Sequence, residues 1–264
     1  MNARFAGKVI LITGATSGMG WATAERVAGE GGKLVLAARG REVGEALVAD
    51  IRAAGGEAVF VRADVTVEAD VAEAVQVAVG HYGRLDGAFN NAGAPTADGP
   101  VTEIDSSAWH ADMAVNLTSV FYALKYEIPA LRESGGGAIL NNASVCGVAA
   151  YPNRASYNAA KHGVIGLTQS AALDAALAGI RVNALITGGV DTPLSRALAL
   201  TDPNLTDPDM SPEDSWRTAE AMHPLGRMAR PDEIAAFAAF LLSDETGFIT
   251  GAALAIDGGM TARL

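Results

Sequence analysis

Cysteine, basic charge and long apolar runs are all scarce in this sequence, and each scarcity removes a class of protein. The single cysteine, Cys146, rules out an internal disulfide and fits a reducing compartment, so a cytoplasmic location is expected. Nineteen Lys and Arg face thirty Asp and Glu, giving a net charge of −11 and a pI near 4.8. Nucleic-acid backbones are gripped by clustered Lys and Arg, so no nucleic-acid partner is expected. The longest apolar run, Ile234 to Leu242, is far too short to span a bilayer, and no membrane role is expected. Near the start, Val9 to Ile12 is too short for a signal-peptide core and no cleavage site follows. Linkers rich in Pro or Ser and internal repeats are missing too, so residues 1–264 read as one domain.

What is abundant is glycine, at thirty of 264 residues, in short clusters without a period. That pattern predicts many tight turns between regular elements. Apolar runs suited to strands lie at Lys8–Thr13, Lys33–Ala38, Ala58–Arg62, Leu85–Asn90, Ala138–Asn142, Arg181–Ile186 and Ala253–Ile256. Between them the spacing predicts helices over 17–30, 41–54, 68–81, 105–132, 154–178 and 231–243. Strand and helix in alternation predict an α/β fold: a doubly wound, parallel, seven-stranded sheet of Rossmann type with helices on both faces. An excursion at about 188–222, with Pro203, Pro208 and Pro212, breaks the rhythm from Leu194 to Met222. Such excursions are usually lids or binding loops.

The first strand runs into Thr13-Gly14-Ala15-Thr16-Ser17-Gly18-Met19-Gly20 and then a helix. Glycines at such a place allow a tight turn and let backbone amides approach a pyrophosphate, whose charge the helix N-terminus favours. The spacing, Gly-x3-Gly-x-Gly, differs from the commoner Gly-x-Gly-x2-Gly, and a plain Gly-rich turn is the alternative. Its position in the first strand-to-helix turn argues for a dinucleotide.

The second strand ends at Ala38 and is followed by Arg39. An NAD site would place a carboxylate near there to hold ribose hydroxyls. A guanidinium instead grips a 2′-phosphate with paired donors. NADP(H) is therefore favoured and NAD(H) kept open, the alternative being that Arg39 is a solvated loop residue.

Farther on come Asn90-Asn91-Ala92-Gly93 after the fourth strand, Ser144 after the fifth, and Tyr157 with Lys161 on the next helix. Four residues apart, Tyr157 and Lys161 share a helix face, and a nearby ammonium lowers the pKa of a phenol toward the range of a general acid/base. Surface pairs with this spacing are common, but few follow a cofactor turn and a strand-end serine.

Taken together, the Gly14/Gly18/Gly20 turn, Asp64-Val65, Asn90-Asn91-Ala92-Gly93, Asn116, Ser144, Tyr157/Lys161, Thr192-Pro193, Ile249-Thr250-Gly251 and Asp257-Gly258-Gly259 resemble the short-chain dehydrogenase/reductase family, from Lys8 to Gly259. The resemblance implies that Tyr157 donates or accepts the proton and that Ser144 holds the reacting oxygen. Lys161 would bind the nicotinamide ribose and lower the Tyr157 pKa, and Asn116 would hold a water on a proton path. It further implies a cofactor site built from Gly14, Thr16, Ser17, Gly18, Met19, Gly20, Arg39, Asp64, Val65, Asn91, Ala92 and Gly93. Gly188, Val190 and Thr192 would meet the carboxamide end. Substrate contacts are expected from Ser144, Cys146, Asn153, Tyr157 and Gly189. The family also implies a homotetramer, with the helices near 105–132 and 154–178 packing across two-fold axes through a face at Ala171, Ala172, Ala175 and Ala176.

Two departures stand out. Thr187-Gly188 replaces the usual Pro-Gly, which is expected to free the turn beside the nicotinamide, and Ala143 replaces the first serine of a Ser-Ser pair. Cys146 has no His near it in sequence, and the histidines at 81, 110, 162 and 223 lack metal-ligand spacing, so no metal is expected and all four are read as structural. Small and apolar residues prevail around the expected pocket, with Arg154 and Arg196 the exceptions. The expected activity is hydride transfer between NAD(P)(H) and a small-molecule secondary alcohol or ketone, with cyclic substrates in view. A 3-oxoacyl-carrier-protein reductase is the enzymatic alternative, which would need a basic patch. A non-catalytic NADP-binding regulator is the other, which should lack one of Ser144, Tyr157 and Lys161.

Overall fold

The computed structural model describes residues 3–207 and 209–263, so Met1, Asn2, Leu264 and Pro208 of the excursion lie outside the described residues. Strand β1 (Val9–Thr13) is buried along its whole length. Its odd and even residues serve different cores. Val9 and Leu11 point into one cluster with Val75, Val120, Leu131 and Val164, while Ile10 and Ile12 point into another with Val27, Leu47 and Ile234. A strand apolar at every position must be covered on both faces, and here it is.

Strands β2 (Lys33–Ala38), β3 (Glu57–Arg62), β4 (Gly87–Asn90), β5 (Gly137–Asn142), β6 (Ile180–Thr187) and β7 (Ala253–Ile256) complete a sheet in the order β3-β2-β1-β4-β5-β6-β7. All six pairings are parallel, in register from Thr13↔Ala37 at one seam to Thr187↔Ile256 at another. Helices α1 (Gly18–Gly29) and α2 (Arg41–Ala53) follow β1 and β2, and α3 (Glu68–Tyr82) follows β3. After β3 the chain crosses to β4 on the far side of β1, so the strand order reverses between β1 and β4. Ligands of such sheets bind in the crevice outside the strand ends at that point.

The helix expected over 105–132 is interrupted. Helix α4 (Ser106–Met113) passes through a π-helical turn, Ala114–Thr118, before α5 (Ser119–Glu133). The wide turn coincides with Asn116, whose amide is drawn off the helix onto the backbone of Ala94. Helix α6 (Ala155–Ala175) carries Tyr157 and Lys161. Contrary to expectation, Ala171, Ala172 and Ala175 do not face a partner: they are buried in this chain's own core. Small residues let α6 lie close to its own sheet, while Ala176 of the expected face is exposed, as are Leu173 and, in the turn after α6 (Ala176–Ala178), Leu177. The excursion holds two short helices, α7 (Pro193–Leu198) and α8 (Pro212–Ala221), before α9 (Pro231–Leu242). Among the described residues, no helix is long and apolar enough to cross a membrane.

A buried polar chain links the two sides of the β4–β5 seam. Asn90 donates to Glu127 Oε2 (3.0 Å) and Asn141 Oδ1 (2.9 Å), and Asn141 donates to Thr168 (2.9 Å). Burial pushes the Glu127 carboxyl up to about 7. A carboxyl raised on folding favours the native state most at low pH, below about 4.5, and this contribution disappears as pH rises through about 7. Glu127→Gln keeps the shape and removes the titration. Relative to the variant, the parent should therefore lose on the order of 3 kcal/mol between pH 5 and 8. Denaturant melts at the two pH values check this, and an equal loss in parent and variant refutes it.

Candidate active site

The crevice begins where β1 ends. Gly14 and Gly18 take φ of 62° and 52°, left-handed values that strain a side chain. Space is short as well. A Cβ on Gly14 would stand 3.0 Å from Ala92 Cα, one on Gly18 2.8 Å from Thr192 Cγ2, and one on Gly20 2.3 Å from the Gly14 carbonyl oxygen. The turn is tied to the next strand. The Asn91 side-chain amide donates to the carbonyls of Thr13 (3.1 Å) and Gly14 (3.3 Å), while Thr13 Oγ1 accepts from the N–H groups of Asn91 (3.0 Å) and Ala92 (3.1 Å).

A cleft of about 620 Å³ runs along the strand ends, walled by Gly14, Thr16–Met19, Ala38, Arg39, Asp64, Val65, Asn91–Gly93 and Thr192. Among the described residues, Asn91 Oδ1 is buried in this wall without a hydrogen-bond partner, an acceptor suited to a sugar hydroxyl. The Asp64 carboxyl is held below its ordinary value, first by the hydroxyl and N–H of Thr66 and more weakly by Arg39. Arg39 itself is exposed and forms no ion pair among the described residues.

Beyond the cleft lies the chemistry-bearing set. Ser144 follows β5, and its Oγ accepts from the Cys146 N–H at 3.1 Å. On α6, Lys161 Nζ sits 5.5 Å from the centroid of the Tyr157 ring. The buried ammonium donates to the Asn142 carbonyl at 2.7 Å, and with three donors it keeps others for the cleft. Gly93 fills the gap between Lys161 and Asn116: a Cβ there would meet Asn116 Oδ1 at 2.8 Å and Lys161 Nζ at 3.3 Å. The Asn116 amide grips Ala94 at both N–H (3.1 Å) and C=O (2.8 Å).

Burial pushes the Tyr157 phenol up, Cys146 adds to the rise, and the Ser144 hydroxyl pulls back. Burial also pushes Lys161 down to about 8. In the chain alone, burial thus acts on the phenol against the lowering expected from Lys161. Desolvation is the largest cause on both groups: it raises the phenol and also weakens the cation that was to lower it.

A second cavity, about 250 Å³, is lined by Ser144, Tyr157 and Lys161 together with Cys146, Gly188, Gly189, Leu194, Leu198, Met222 and Met228. It shares a wall with the long cleft at Met19, Gly93, Ala94, Asn142, Thr192 and Leu194. A ligand reaching down the cleft would thus meet a smaller molecule placed beside Ser144 and Tyr157.

Residues 14–261 match the family model described as Enoyl-(Acyl carrier protein) reductase. A 2,5-dichloro-2,5-cyclohexadiene-1,4-diol dehydrogenase of Sphingobium indicum is 42% identical over 257 residues, covering 97% of this chain and 98% of that protein. The chain belongs to the short-chain dehydrogenase/reductase family. The cyclohexanol dehydrogenase of an Acinetobacter species is 39% identical, covering 100% of this chain and 98% of the relative. A crystal structure of an actinorhodin polyketide ketoreductase variant with NADPH is similar at a TM-score of 0.91 and 34% identity, covering 98% of this chain and 99% of that one. As a short-chain dehydrogenase/reductase, the chain is a nicotinamide-dependent oxidoreductase of secondary alcohols and ketones.

Within this family framework some expectations need correction. Asn153 does not line the cavity; at φ 56° it turns its amide to Asn204 of the excursion, 3.1 Å away. The turn at Gly188–Gly189 is not freed by the missing proline. Gly188 donates to Ile256 O at 3.3 Å, and Gly189 donates to His223 Nε2 at 2.8 Å. With Nδ1 3.0 Å from the Ala219 carbonyl, the buried His223 must carry its proton on Nδ1. His223 is thus a cavity-lining support that its place in the sequence did not reveal. Cys146 is buried and its thiol is pushed up, which suits a wall and not a nucleophile.

Proposed function

We propose that this enzyme interconverts neutral cyclic secondary alcohols and ketones using NADP(H). The shared wall between the dinucleotide cleft and the Ser144–Tyr157 cavity carries the reading, because it brings cofactor and substrate into contact at the proton-transferring phenol. The nicotinamide, when bound, supplies or takes up the hydride. In the reductive direction Ser144 Oγ orients the substrate oxygen and Tyr157 Oη donates a proton to it, which its raised pKa keeps available at neutral pH. Lys161 holds the ribose with its remaining donors, while Asn116 and Gly93 keep the loop beside it at the required separation. Gly188, Val190 and Thr192 wall the carboxamide end.

The substrate class follows from cavity size and lining. At 250 Å³ the cavity is below the range of about 300–1,000 Å³ usual for drug-sized ligands, which favours one ring. Its Leu and Met side chains favour an uncharged one. An acyl-carrier-protein substrate would need free positive charge outside. Arg196, Arg217, Arg227 and Arg230 are instead paired with Asp191, Glu213, Glu233 and Asp232. The assembled Ser144, Tyr157 and Lys161 speak against a non-catalytic regulator.

Cofactor preference rests on Ala38 and Arg39. No carboxylate at 38 repels a 2′-phosphate, and the unpaired Arg39 offers it a donor fork. We also propose a homotetramer, since Leu173 is 82% exposed on α6, Leu177 106% exposed in the turn that follows it and Phe248 104% exposed beside β7. With a single buried cysteine, the enzyme suits the cytoplasm.

Tyr157→Phe should lower turnover roughly 100- to 10,000-fold while NADPH still binds. Stopped-flow rates and fluorescence titration check this; near-parental turnover would remove Tyr157 from its role. Ala38→Asp with Arg39→Val should reverse a parental NADPH preference of roughly ten- to a hundredfold, read as kcat/KM for both cofactors at one ionic strength. A parent that already prefers NADH defeats the assignment. Light scattering at micromolar concentration should report four subunits, and a monomer would overturn the assembly.

A further inference from the structure

One phenol in the substrate cavity is left unused by the hydride chemistry. Tyr151 lines the cavity with Ser144 and Tyr157, and the two tyrosines share neighbours: Cys146 and Arg154 act on both phenols. Among the described residues, the only partner of Tyr151 Oη is the sulfur of Met222, at 3.5 Å. A thioether is a weak acceptor, whereas a tyrosine hydroxyl taken out of water normally finds a full-strength partner. The backbone behind it is rigidly placed. Asn158, on the same helix as Tyr157, accepts from the Tyr151 N–H (3.2 Å) and donates to its carbonyl (2.8 Å). The Tyr151 backbone is therefore held by the same helix that carries Tyr157, and its O–H, engaged only by a thioether, is available to an oxygen in the cavity.

The cation beside it is already paired in charge, although its buried Nη1 completes no hydrogen bond among the described residues. Arg154 is 3% exposed and lines the same cavity, yet Nη2 donates to Asp202 at 2.8 Å and Nη1 pairs with Asp98. One guanidinium thus meets two carboxylates, one from the excursion and one from the loop after β4. A substrate carboxylate arriving there would face surplus negative charge and would have to break a buried ion pair. An uncharged hydroxyl or carbonyl meets neither obstacle.

We propose that Tyr151 is a specificity residue that donates a hydrogen bond to a second, uncharged oxygen on the substrate ring, while the Arg154–Asp202–Asp98 cluster turns away substrates carrying a carboxylate at that place. The preferred substrates are then ring diols, hydroxyketones or diketones. This rests on the cyclic alcohol/ketone reading above and names the second group that the pocket selects.

The test compares kcat/KM for cyclohexanol, cyclohexane-1,4-diol and 4-hydroxycyclohexanecarboxylate in the parent, Tyr151→Phe and Asp202→Asn enzymes. The parent should prefer the diol, with the carboxylate slowest. Tyr151→Phe should lower the diol-to-cyclohexanol ratio about tenfold, mainly through KM, as expected for one hydrogen bond. Asp202→Asn should raise the carboxylate-to-cyclohexanol ratio. Ratios unchanged by the two substitutions overturn the proposal while the ring-alcohol reading stands, and this includes the case where a loosened pocket lowers all rates together. Turnover of neither cyclohexanol nor the diol by the parent removes both readings.

Discussion

The tie between Thr13–Gly14 and Asn91–Ala92 is the constraint on which the rest of the site depends. The chain leaves β1 toward one half of the sheet and β4 toward the other, so the two strand ends would part unless something held them. Four hydrogen bonds do so, two from the Asn91 amide and two to the Thr13 hydroxyl. They work only because Gly14 has no Cβ, which would press on Ala92 at 3.0 Å. The same segment continues to Gly93, which sets the spacing between Asn116 and Lys161. The glycine turn and Lys161 are therefore positioned by one stretch of backbone, and a distortion at Gly14 would travel to both.

Burial acts on this site in two directions. It excludes water from Ser144, Tyr157 and Lys161, which strengthens every interaction that a bound molecule makes there. It also disfavours charge, raising Tyr157 and lowering Lys161 to about 8. The result is a phenol that holds its proton and an ammonium close to losing one, which is an arrangement suited to passing protons. Where the fold keeps a full charge in the interior, it supplies partners: Arg154 has Asp98 and Asp202. Asp112 has Thr96 and Ser156, and so holds the loop after β4 against the start of the Tyr157 helix.

Much of the architecture was legible because strands buried on both faces leave uninterrupted apolar runs. Val9–Thr13 and Lys33–Ala38 could be bounded from those runs to within a residue. Tyr157 and Lys161 were legible for a related reason, since a helix turns a spacing of four into proximity. Features made by distant contacts were not. The π-helical turn at Asn116 answers to Ala94, twenty-two residues away, and leaves no periodic trace. His223 is explained by the N–H of Gly189, and Asn153 by Asn204. The alanines of α6 misled because a small-residue stripe looks the same whether it packs on its own sheet or on another subunit.

The division of labour across the fold follows from these differences. Ser144, Tyr157 and Lys161, to which we assign the proton chemistry, stand at a strand end or on α6, anchored by the sheet. The substrate selection we propose falls to segments held by fewer and more polar ties. The excursion is fastened by Arg154–Asp202 and by Asn204, which donates to the Pro152 carbonyl at 3.0 Å and accepts from Asn153. Both fasteners end on the residues just before α6. Any change that shifts the excursion is thereby felt at Tyr151 and at the N-terminal turn that carries Tyr157. Pocket shape and proton transfer are thus mechanically joined, and a relative with a different excursion would need a different set of residues at 151–154 to keep Tyr157 in place.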